Sequence, residues 1–176
     1  MKSKVVSLSA ISASFIAICL IIGTYFELAD LFVLVVASVF VLLPLYFNSY
    51  KGSFLAFLSG GVIAILICGF NFTLVYPAYF GFFGIYPIIK SKMLEKRISK
   101  ALNILIGIIW FLIISYVCYY YYIFVLGGVF DGLPDWVLKY LIYFIGVTAV
   151  IFYFIYDRFI VAIKFSLDKY LSKIIK

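Results

Sequence analysis

The chain has 176 residues, 68% hydrophobic and 22% aromatic, with 12% charged and a mean hydropathy of +1.26. Soluble domains are near half apolar, so this composition excludes one and points to a single all-α, polytopic membrane domain. The net charge of +7 comes from basic residues that flank apolar runs rather than forming a stripe, which argues for topology signals and anionic-lipid contacts and against nucleic acid.

Lys2 and Lys4 precede an apolar run over 5–26, too long for a signal-peptide core, which is read as the first span with its N-terminus inside. Ser9, Ala13 and Ala17 recur every four residues in it, with Ala10 and Ser14 as a second row. Small residues at that spacing let another helix approach closely, either within the bundle or on a different protein. Glu27 to Asp30 is a short acidic outer turn, and the second span follows over 31–47 with Pro44 near its inner end. Lys51 marks an inner turn; the third span, 54–70, contains Gly60-Gly61, which predicts tight packing there, and Asn71 begins the next outer turn. The fourth, 74–89, is short and broken by Pro77, Gly81, Gly84 and Pro87, which predicts a distorted crossing.

Lys90 to Lys100 carries five of the 14 basic residues and is read as a cytoplasmic loop. The fifth span, 101–126, ends in four tyrosines, 119–122, either an interfacial belt or a ligand-facing wall. Gly127 to Asp135 is the longest outer loop, with Asp131 and Asp135. The sixth span covers 136–156. The tail over 157–176 repeats apolar residues at Ile160, Ile163, Leu167, Leu171 and Ile174, which predicts an amphipathic helix on the inner leaflet.

Six spans place every basic residue except Lys139 on the inside, so the expectation is a multi-pass plasma-membrane protein with both termini cytoplasmic. Chemistry is sparse. There is no histidine, and Cys19, Cys68 and Cys118 are isolated in separate apolar segments, so no metal site, cofactor or catalytic group is implied and an enzyme is not expected. Asp157 beside Arg158 reads as an interfacial ion pair. Glu27, Asp30, Asn71, Asp131, Asp135 and Trp136 are the polar and aromatic residues that the outer turns offer a ligand.

The small-residue first helix, six short spans and internal termini look like the substrate-binding S component of energy-coupling factor (ECF) transporters. The stretch 80–97, FGFFGIYPIIKSKMLEKR, and the end Phe154-Ile155-Tyr156-Asp157 before a basic tail resemble a Firmicutes branch of S-component-like proteins. The resemblance implies a six-helix S-component-like bundle. It implies docking of the Ser9, Ala13, Ala17 face on an ECF scaffold membrane subunit driven by two cytoplasmic ATPases. It also implies capture of a vitamin or other micronutrient from outside, near Glu27, Asp30, Asn71, Asp131, Asp135 and Trp136. The first outer turn is shorter than that family's usual gate. The alternative is a non-transporting scaffold of similar fold, of the MreD cell-shape type.

Overall fold

The computed structural model describes residues 3–69, 73–96, 99–125 and 134–174, and among these every regular element is helical. Helix α1 (Ser3–Tyr25) leads through a 3₁₀ turn (Glu27–Ala29) into α2 (Asp30–Leu42). Pro44 lacks the N–H that an α-helix would use, and the chain tightens there into a 3₁₀ segment, Leu43–Phe47. Asn48 then adopts a left-handed conformation (φ 53°), and the Ser49 hydroxyl caps α3 (Tyr50–Ile67) by accepting from Gly52 N at 3.1 Å.

Helices α1 and α3 run parallel and meet along small residues. Ser9, Ala13 and Ala17 are buried, as are Gly52, Ala56, Gly60 and Ala64 at four-residue steps on α3. A Cβ on Gly60 would stand 2.7 Å from Ile16 Cγ2 and 3.0 Å from the Ala13 carbonyl, and one on Gly52 2.7 Å from Ser9 Oγ. The tight packing expected at Gly60-Gly61 is present, with the Phe80 ring lying against Gly61. The Ser9, Ala13, Ala17 row is buried within the bundle.

The fourth expected span is three short pieces: α4 (Val75–Ala78), a π turn (Tyr79–Phe83) and α5 (Tyr86–Glu95). Gly84 N donates to Tyr79 O at 2.8 Å, the five-residue step of a π turn. Val75 packs on Gly23 near the end of α1, while Glu95 faces Lys164 at 4.0 Å, so the broken segment runs from one end of the bundle to the other. The end with Lys51 and Glu95 is here called the basic end, and the end with Asp30 the acidic end. The basic loop is much shorter than expected. Lys90 to Glu95 belong to α5, because Lys, Met, Leu and Glu favour helix and Lys90 finds a buried partner.

Ser99 caps α6 (Lys100–Phe124), accepting from Leu102 N at 3.4 Å. Helix α7 runs unbroken from Asp135 to Ile174 over 40 residues, about 60 Å, roughly twice a bilayer's hydrocarbon core. The expected division between a sixth span and a tail helix is therefore absent. Ile160 is buried, and Ile163 and Leu167 pack on the core, with Leu167 beside Leu42 and Leu45. The apolar stripe of the tail continues the bundle interface through these residues. The side chains of Leu171 and Ile174 lie outside the described residues.

Among the described residues, five helical segments are long and apolar enough to cross a membrane: Ser3–Tyr25, Asp30–Phe47, Tyr50–Ile67, Ala101–Phe124 and Tyr140–Leu167. The chain is an all-α, multi-pass membrane protein.

Candidate functional site

Two features are built on the broken segment, one toward each end. At the acidic end a cavity of about 310 Å³ opens between α2, α4, the π turn and α6. Its walls are apolar, among them Leu34, Val75, Phe82, Phe83 and Phe111, with Asp30, Ser115 and Cys118 as its polar or polarizable members. The Ser115 hydroxyl is turned back onto Phe111 O at 2.8 Å, so the carboxylate of Asp30 is the charged group there. A second hollow of about 260 Å³, between α6 and α7, shares Leu31, Phe111 and Ser115 with the first and adds Phe144, Thr148 and Phe152.

Toward the basic end lies a buried polar cluster. Tyr86 and Lys90 stand one turn apart on α5, and Tyr153 and Asp157 one turn apart on α7, so each helix presents a tyrosine and a charge on one face. Lys90 Nζ meets Asp157 Oδ1 at 2.5 Å. The Tyr86 hydroxyl donates to the same carboxylate and lies 3.1 Å from the Tyr153 hydroxyl. Lys90 is 4% exposed and Asp157 8%. Asp157 therefore pairs with Lys90, not with its neighbour Arg158, which is exposed. The expected interfacial pair is corrected to a buried one, because helical geometry points Asp157 inward and the next residue outward. A charge pair inside an apolar bundle is costly unless fully hydrogen-bonded, which makes it a site to be explained rather than a default of packing.

Two freed carbonyls tie the broken segment to its neighbours. Pro87 has no N–H to offer Phe83 O, and the Tyr156 hydroxyl approaches that oxygen at 3.4 Å. The π turn displaces the usual partner of Gly81 O, and Trp110 Nε1 donates to it at 2.8 Å. On α6, Gly107 leaves the space that the buried Tyr153 ring occupies.

Of the residues expected to bind a ligand, Asp30 lines the cavity. Glu27 is in the adjoining 3₁₀ turn, and Asp135 begins α7, but both side chains lie outside the described residues, as do Asn71 and Asp131 entirely. Trp136 is 67% exposed and sits eight residues, about 12 Å, beyond Phe144, the first α7 residue of the hollow. The walls are built from phenylalanines, and none of Tyr119 to Tyr122 lines either hollow. Ser9, Ala13 and Ala17 are buried within the bundle. Sequence reasoning missed Tyr86, Lys90 and Tyr153. The signal was present as Tyr-x-x-x-Lys and Tyr-x-x-x-Asp within helical segments, which places each pair on one face.

No protein-family model matches the chain, and no curated protein or solved structure is similar to it.

Proposed function

We propose that this protein is the substrate-binding subunit of a small-molecule uptake system, an S-component-like protein that receives a compact, mostly apolar molecule at its acidic end. The cavity of about 310 Å³ beside Asp30 carries this reading: its size falls in the range of ligand pockets, and one carboxylate among apolar walls is the composition of an orienting site. The acidic end faces outward in this reading, the broken segment is the fourth of six crossings, and both termini are cytoplasmic. Partners are a scaffold membrane subunit and two ATPases. Because Ser9, Ala13 and Ala17 are buried within the bundle, the surface that α1 offers such a partner is the exposed second row, Ala10 and Ser14.

The orientation has its own test. A cysteine at Ser99 should label only from inside and one at Gly132 only from outside; labelling of both from one side removes the six-span topology.

The ligand test is purification from rich medium followed by mass spectrometry of bound small molecules and proteins. Asp30→Asn should weaken binding of the recovered molecule by about 5- to 150-fold, the cost of about 1–3 kcal/mol for a lost buried polar partner. Ala78→Phe, which places a ring in the cavity, should abolish its recovery. Parent-like binding in both variants would overturn the cavity as the site.

The scaffold reading is favoured by a different observation. Below the cavity, Phe82, Tyr86, Tyr153 and Tyr156 are all buried and fill the interior with rings. Recovery of cell-envelope proteins without ATPases or a small molecule would decide for it.

A further inference from the structure

The cavity and the ion pair are two faces of one layer of rings. Phe82 and Phe83 line the cavity, the Phe82 ring stacks on Tyr86 with centroids 4.6 Å apart, and both phenylalanines contact Tyr156, at 5.4 and 5.1 Å. On the other side of the layer Tyr86 donates to Asp157, which holds Lys90. Phe82, Tyr86 and Lys90 follow at four-residue steps, and Phe82 and Phe83 end the π turn. A π turn is a one-residue bulge in an α-helix. Its removal turns the residues on one side by about 100° relative to those on the other. Phe82 and Tyr86 are four residues apart and stay on one helical face, so that rotation carries both rings together against Phe111 and Tyr156. The bond that the bulge makes room for, Trp110 to Gly81 O, would change with it.

We propose that occupation of the acidic-end cavity and closure of the Lys90–Asp157–Tyr86 cluster are coupled through the π turn. A body packed on Phe82 and Phe83 holds the bulge and keeps the cluster closed. An empty cavity gives the two rings room to rotate, which draws Tyr86 from Asp157 and loosens α5 from α7. The ends of the protein thereby communicate over the length of one segment, through the bulge that joins its two halves. The inference rests on the ligand reading only for what fills the cavity in the cell; a side chain can fill it in the test.

Ser91 reports the closed state. It is 1% exposed, follows Lys90, and its carbonyl lies 3.5 Å from Lys164 Nζ. In the full chain with Cys19, Cys68 and Cys118 changed to alanine, Ser91→Cys is labelled in detergent with a water-soluble maleimide. Ala78→Phe, filling the cavity, should slow labelling about fivefold or more, the lower end of usual coupling. Phe82→Ala should speed it by a similar factor. Val117→Phe, on the exposed side of α6 and away from both hollows, should leave it unchanged. Ala78→Leu and amide exchange over 86–95, with Ser91 retained, repeat the comparison should Ala78→Phe fail to fold. Labelling and exchange that ignore the cavity variants, or that respond equally to Val117→Phe, overturn the coupling. Absence of a co-purifying molecule overturns the ligand reading alone.

Discussion

Lys90→Met or Asp157→Leu alone should destabilise the protein by about 3–5 kcal/mol, while the double variant should recover most of that loss. Each single change leaves the other charge buried without its partner, since the two side chains are only 5% and 11% exposed. The double change replaces the pair by apolar groups that the surrounding rings tolerate. Reversible unfolding in mixed micelles gives the four corners of the cycle. Additive losses in the double variant, or single losses below about 1 kcal/mol, would show that the 2.5 Å contact is not a closed, desolvated pair.

The interaction explains why α5 keeps its place. α5 follows a π turn and begins with Pro at its second position, so its own helical bonds hold it weakly to the segment above. Helices α2 and α3 pack on it, and α7 adds the polar anchors: Tyr86 and Lys90 to Asp157, and the Glu95–Lys164 contact at 4.0 Å. The last of these is half exposed at Glu95 and adds little.

How much of this was legible follows from which physics is local. The apolar runs, the position of Pro44, the tight packing at Gly60-Gly61 and the distorted fourth segment depend on residue type and spacing, and they read directly; that α1 is the helix packed on Gly60 did not. The extent of α5 did not, because a run of basic residues looks the same as loop or as helix until a carboxylate from another element neutralises one of them. Asp157 lies 67 positions from Lys90, and nothing in the spacing of either helix announces the other. The tail of α7 failed for a related reason. An amphipathic stripe says that one face is covered, and Leu42 and Leu45 cover it through Leu167 where a leaflet was expected. The cavity was half legible: Asp30 was named for its charge, but the phenylalanine walls are indistinguishable in sequence from core.

Gly107 gives the second large effect, because its sign opposes the usual one. Gly to Ala within a helix normally stabilises by up to about 1 kcal/mol, through propensity alone. At Gly107 a Cβ would overlap the hydroxyl and ring of Tyr153, which is 0% exposed and cannot swing away. Gly107→Ala should therefore lose about 1–3 kcal/mol, the cost of overpacking a filled core. Gly146 on α7 is the control: its nearest neighbour to a new Cβ is the Tyr116 hydroxyl at 3.1 Å, on a half-buried ring that can shift. Gly146→Ala should be neutral or slightly stabilising. Tyr153→Phe removes the nearest clashing atom and one hydrogen bond, so Gly107→Ala with Tyr153→Phe should be less destabilised than the two single losses combined. Thermal unfolding followed by tryptophan fluorescence measures all four proteins. Trp110, bonded to Gly81 one helical turn from Gly107, makes the reading local as well as global. Equal behaviour of Gly107→Ala and Gly146→Ala would mean that Tyr153 does not occupy the space Gly107 leaves, and with it the placement of the whole Tyr86–Tyr153–Asp157 cluster would fall.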